Sequence, residues 1–118
     1  MTVRKHADPR FSESIELFNR EAYFESHEVM ESLWLSVPKE DRYRDLYKGV
    51  IQAAASILLK RKQIDGAAVR LARSSLGYLT GYLGDAFEID AVRLTDDLKA
   101  WIGQGLRVDT QIRICCSV

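Results

Sequence analysis

No excess of charge of either sign marks this chain: 17 basic and 17 acidic residues give a formal net charge of zero. Nucleic-acid binding over a large surface needs a basic footprint, so that class is disfavoured. Long hydrophobic runs are also missing. The longest apolar stretch, residues 49–59, is broken by Gln52 and Ser56 and flanked by Lys48 and Lys60. Spanning a bilayer takes about 20 apolar residues, so this stretch is expected to be a buried core helix with no membrane role. The opening MTVRKHADPRF lacks the apolar centre of a secretory signal. Cysteine is scarce: Cys115 and Cys116 are adjacent, near the end, and form neither a spaced framework nor a CxxC pair. A reducing, cytoplasmic setting is the simplest expectation. Absent too are a GxSxG elbow, a P-loop, a GxGxxG turn and a cysteine–histidine pair for nucleophilic catalysis.

What is present is an ordinary globular composition, 47% hydrophobic and 29% charged, in a length that suits one domain. Periodicity predicts an all-α fold, a compact bundle of about five helices over residues 9–20, 23–36, 41–63, 65–83 and 95–103. Asp8 and Pro9 suit a cap and a first helical position, and Pro38 disfavours helix just before it. The third segment is apolar nearly all round and should be central, with Gly49, Ala53 and Ser56 permitting close approach of another helix. Asp65 and Thr95 are the expected caps of the fourth and fifth helices, and Gly84 the stop of the fourth. Gly77 and Gly81 lie inside the fourth, where each costs about 1 kcal/mol relative to alanine, so a packing reason is expected. The helical domain is expected to occupy residues 1–105. In the tail, 106–118, Leu106, Val108, Thr110, Ile112 and Ile114 alternate with polar residues, which reads as an extended segment. It is either a loose terminus or an arm that pairs with another chain, for example in a homo-oligomer.

The chemistry concentrates in YFESHEVMESLW, residues 23–34. At 100° per residue, Tyr23, Met30 and Trp34 share an arc, with His27 and Glu31 beside them and Glu28 at the border. Glu25 falls on the far side. His27 and Glu31 are four apart, so their side chains meet. A carboxylate drawn into an apolar arc must be paired, hydrogen-bonded or neutral. Gln52 and Ser56, also four apart, are expected to face that line and complete a polar island between two core helices. The island reads either as a satisfied core network or as a site. A histidine coupled to a glutamate suits general acid–base work. One histidine with two or three carboxylates suits an oxygen-loving divalent ion, with His27 and Glu31 as the first ligands, although HExxE lacks the second histidine of HExxH.

With these residues in view, the chain resembles the DUF309 family of small all-helical proteins. The resemblance is carried by LFNREAYFESHEVMESLW (17–34), KGVIQAAASILL (48–59), the GA at 66–67 and, in part, FEID at 87–90. The family pattern of a Tyr-x-Glu-x-His-Glu helix, a later Glu and Trp, and a Gly-x-Ile-Gln helix maps onto Tyr23, Glu25, His27, Glu28, Glu31, Trp34, Gly49, Ile51 and Gln52. The resemblance therefore adds Glu25 to the candidate set. This chain departs from the family in having Glu21 where glycine is common. It also has Leu58 and Leu59 where a histidine is common near the end of the Gln helix, which weakens a metal site. The family supplies a fold and residues but no reaction.

Two functions compete. One is a domain with a polar pocket at His27, Glu28, Glu31 and Gln52, joined by Glu25 through the resemblance and flanked by Tyr23, Trp34 and Ser56, that takes a small ligand or a divalent ion. The other is a helical interaction or oligomerisation module whose polar cluster only specifies packing. RNA binding through Lys60, Arg61, Lys62, Arg70 and Arg73 ranks below both, because cations at a helix end more simply complement its dipole.

Overall fold

The computed structural model describes residues 8–83, 89–107 and 110–115. These form an all-α bundle: α1 (Pro9–Asn19), α2 (Tyr23–Ser36), α3 (Arg44–Arg61), α4 (Asp65–Leu79) and α5 (Ala91–Gly103), with a 3-10 turn at Thr80–Tyr82 after α4. Local chemistry explains most of the boundaries. Asp8 caps α1 by accepting the Arg10 backbone N–H at 2.9 Å, and Pro9 follows as expected. The Arg10 guanidinium donates back to Asp8 and across to Ser32 and Ser36 of α2, each at 3.0 Å, so one side chain ties two helices.

Tight reversals follow α1 and α3. Glu21 (φ 64°) and Gln63 (φ 63°) take the left-handed conformation, and the Ala22 and Ile64 amides donate to Leu17 and Leu59 carbonyls. Glycine fills such a position at least cost. That is why glycine at the place of Glu21 would leave this helix break unchanged.

Two helix starts and one cap differ from expectation. Helix α3 begins at Arg44 because Asp41 holds a turn: its carboxylate accepts the Tyr43 amide at 2.9 Å and its carbonyl the Arg44 amide at 3.2 Å. Asp65 is the first residue of α4 and makes no cap; its carboxylate pairs with Lys60 at 3.0 Å. Helix α5 starts at Ala91, four residues before Thr95, because Asp90 offers its carboxylate to the Arg93 amide at 3.0 Å. Thr95 is then a buried residue inside the helix. Helix α4 gives way at Leu79 to the 3-10 turn, and Gly84 lies outside the described residues.

Helix α3 is central, with Val50, Ala53 and Ala54 fully buried. Gly49 permits the expected close approach: a Cβ there would lie 2.8 Å from the Leu79 side chain of α4. Beside it the Ser75 hydroxyl donates to the Gly49 carbonyl at 2.6 Å. The packing role expected of Gly77 and Gly81 is not found, since a Cβ at either would meet nothing within 4 Å.

The tail packs on its own domain. Leu106, Ile112 and Ile114 are buried in the common core, while Arg107, Gln111 and Arg113 face outward, so the alternation of the sequence is an in–out pattern against helices. Asn19 clamps it, donating to the Ile114 carbonyl and accepting the Ile114 amide, both at 2.8 Å. The Asp90 amide donates to the Cys115 carbonyl at 2.8 Å. Val108, Asp109 and Cys116 lie outside the described residues. No helix among the described residues is long and apolar enough to cross a membrane.

Candidate functional site

The inner face of α2 is Tyr23, Ser26, Met30 and Leu33. Of the expected arc, Tyr23 and Met30 are buried, while Trp34, His27 and Glu31 are only partly so. Phe24 and Leu35 weigh on that arc as apolar residues, yet they are 51% and 68% exposed. Ser26 reads as polar, yet it is fully buried. It is satisfied by a reciprocal pair with α1: Ser14 donates to the Ser26 carbonyl and Ser26 to the Ser14 carbonyl, both at 2.8 Å. This buried polar contact escaped sequence reading because serine at helical spacing carries no sign of its partner.

His27 and Glu31 do meet, with Nε2 and Oε2 3.5 Å apart, at the rim of the core. Their side chains are 28% and 46% exposed, and Glu25 and Glu28 are exposed. Ser56 is buried, and its hydroxyl donates to the Ala53 carbonyl one turn back at 2.8 Å, so its bonding is spent within α3. Gln52 is half-buried, but its Oε1 is fully enclosed and has no hydrogen-bond partner.

The contacts between α2 and α3 set the register of this seam. Tyr23 near the start of α2 lies under the Arg61 guanidinium of α3, 4.8 Å from its ring centre. Trp34 near the end of α2 lies against Arg44 at 4.4 Å and Lys48 at 4.3 Å. The helices therefore run antiparallel. Arg44, Lys48 and Gln52 follow one another at steps of four residues along one stripe of α3. Counting helix rise between the two anchors puts Gln52 level with the interval between His27 and Glu31.

Besides Gln52 Oε1, the Trp34 Nε1 and Arg44 Nε donors are buried here without hydrogen-bond partners. The seam thus encloses two donors at one end and one acceptor further along, with an imidazole–carboxylate pair at its edge. It offers little to a metal: among the described residues no group of three or more His, Cys, Asp or Glu side chains is placed to hold an ion. A cleft of about 240 Å³ lies at the other end of the α2–α3 pair, near Tyr23 and Arg61, and does not include His27, Glu28, Glu31 or Gln52.

No curated protein and no solved structure matches the chain. A family model, described as Domain of unknown function (DUF309), matches residues 11–71. The matched segment holds both anchors of the seam, with Glu25, His27, Glu28, Glu31, Trp34, Arg44 and Gln52 all inside it. Since that segment is more than half of the sequence, the chain belongs to the DUF309 family.

Proposed function

We propose that the α2–α3 seam recognises a small polar molecule, with Trp34, Arg44 and Gln52 supplying hydrogen bonds and the His27–Glu31 pair forming its edge. One observation carries this reading. Of the four buried side-chain polar atoms without partners among the described residues, three belong to this seam: Trp34 Nε1, Arg44 Nε and Gln52 Oε1. Each such atom costs about 1–3 kcal/mol, and native proteins hold few of them. A molecule that accepts from Trp34 and Arg44 and donates to Gln52 recovers that cost, provided side chains along the seam turn aside to admit it, because all three atoms are enclosed.

The donors and charges define the ligand class. Arg44 and Lys48 suit a carboxylate or carbonyl group at the Trp34 end. Gln52 Oε1 and the Glu31 carboxylate suit an N–H-bearing group at the other, with His27 beside them. Seven residues of helix separate His27 from Trp34, roughly 10 Å, which a small organic molecule spans and a single ion does not. A divalent ion at His27 and Glu31 has two side-chain ligands to rely on, which is why the organic ligand is preferred. The reducing, cytoplasmic setting is kept in this reading, with Cys115 as a free thiol.

The test is thermal unfolding of metal-stripped protein against small zwitterions, carboxylates and divalent ions, with elemental analysis of the protein as purified. Stabilisation by an organic zwitterion or carboxylate that disappears in Gln52→Leu supports the reading. A stoichiometric ion whose effect is lost in His27→Ala replaces it with a metal site. No shift with any compound removes it.

The interaction module is the second reading, favoured by the outer face of α2. Phe24 and Leu35 are exposed on the same stripe as Glu28 and Glu31, spaced four, seven and eleven residues from Phe24. Light scattering over a concentration series, beside Leu35→Glu, decides whether that stripe pairs two copies.

A further inference from the structure

The cleft at the far end of the α2–α3 pair has a chemistry of its own. Lys60 and Arg61 at the end of α3 converge there with Arg107 and Arg113 of the tail, against the single carboxylate of Glu21 among the described lining residues. The whole chain is neutral, so this is a local concentration of positive charge. Lys60 and Arg61 already pair with Asp65 and Glu21, whose side chains are about half exposed or more, so an anion entering the cleft competes with these carboxylates for the cations.

The cations are held by the fold. Asn19 fixes the backbone at Ile114, next to Arg113, through its two hydrogen bonds. Trp101 Nε1 donates to the Arg107 carbonyl at 3.1 Å and fixes the other end of the tail segment. The Arg61 guanidinium lies over Tyr23 and pairs with Glu21. Glu21 thus places a carboxylate where an incoming anion would sit, and both partners of that pair are nearly half exposed, so it can be displaced. Lys60 is turned in part toward Asp65 at 3.0 Å.

Size and charge together select the ligand. A volume of about 240 Å³ is below that of most drug-sized sites and suits a compact anion. Planar guanidinium groups from separate segments match the several oxygens of a phosphate better than a single carboxylate does. We propose that this cleft binds a phosphate monoester, carried either by a small molecule or by the 5′ end of a nucleic acid, with Arg61, Arg107 and Arg113 as its ligands and Glu21 as the internal competitor. This site is separate from the seam, so either can fail without the other.

Titration calorimetry on the full chain tests it, with inorganic phosphate and adenosine monophosphate as probes against chloride at matched ionic strength. The variants are Arg107→Gln with Arg113→Gln, Glu21→Gln, and Glu40→Gln as a control in the connection at the opposite end of α3, with circular dichroism to establish folding. The expected result is saturable binding, weakened about tenfold or more by the double arginine variant. Glu21→Gln should bind more tightly than the parent protein, while Glu40→Gln should not. No binding of either probe overturns the proposal, as does binding unchanged in the double variant or raised equally by Glu21→Gln and Glu40→Gln. Short RNAs with a 5′-phosphate and a 5′-hydroxyl separate the sources. Preference for the phosphorylated RNA over adenosine monophosphate assigns the monoester to nucleic acid. Equal binding of both RNAs, falling steeply with salt, would mean backbone contact and overturns the monoester site.

Discussion

Gly49→Ala is the sharpest probe of the packing that holds the seam. In an isolated helix the change would stabilise by about 1 kcal/mol, because alanine is the better helix former. Here the added Cβ would lie 2.8 and 2.9 Å from two carbons of Leu79 and 3.4 Å from Tyr78 Cβ. Ordinary carbon contacts lie near 3.5–4.0 Å, so α3 and α4 must part by over half an ångström or Leu79 must turn. Leu79 is fully buried and has little room to do so. Overpacking of this kind costs about 1–3 kcal/mol. Separation would also stretch the 2.6 Å Ser75–Gly49 hydrogen bond, worth about 1 kcal/mol. Set against the propensity gain, the net loss is about 1–3 kcal/mol, or a fall in Tm of roughly 4–12 °C at this chain length. Gly77→Ala is the internal control. A Cβ there meets nothing, so it should stabilise by about 0.5–1 kcal/mol. Urea and thermal unfolding of both variants read the difference. A Gly49→Ala protein as stable as the parent would refute the close approach of α3 and α4.

Glu31→Gln should change stability by no more than about 0.5 kcal/mol, because its partner His27 sits at the rim and Glu31 is nearly half exposed. A loss above 1 kcal/mol in urea unfolding would place the pair in the core after all. Burial holds the Tyr23 hydroxyl above its usual pKa, with the Glu21 carboxylate adding to the effect and the Arg61 cation opposing it. The folded state therefore favours the neutral phenol. That stability is complete below the usual tyrosine pKa of about 10 and is lost as pH rises through the raised value. Tyr23→Phe should flatten the alkaline loss of unfolding free energy, and an unchanged slope would count against it. Asn19→Ala should remove both hydrogen bonds to Ile114, cost about 1–2 kcal/mol and strip hydrogen-exchange protection from the Ile114 amide. Retained protection would show that the tail is held by burial alone.

The bundle was legible in the sequence where punctuation is strong. Pro9 with Asp8 opened α1, and α2 was bounded correctly at both ends. Competing chemistry was harder to read: Thr95 looks like a helix starter, but Asp90 comes over one turn earlier and caps α5 instead. The face of α2 was legible in part: Tyr23 and Met30 are buried as expected, but side-chain type is a poor guide to burial where a small serine pairs across helices and a phenylalanine stays outside. The His27–Glu31 contact followed from spacing alone, since residues four apart on a helix must meet. The unpartnered atoms of Trp34, Arg44 and Gln52 were not legible, because they depend on the register of α2 against α3. The tail's alternation was seen, but its acceptor was not: Leu106, Ile112 and Ile114 pack into the helical core, and Asn19 and Asp90 supply hydrogen bonds to the backbone.

The central claim is that the seam keeps buried polar atoms for a ligand at a cost to stability, as functional sites commonly do. Equilibrium urea unfolding of Gln52→Leu beside the parent protein, both without added ligand, tests it most directly. If Gln52 Oε1 has no structural partner, leucine of similar size should raise the unfolding free energy by about 1 kcal/mol. A fall of more than about 1 kcal/mol would mean the amide holds the helices together, and would contradict the claim.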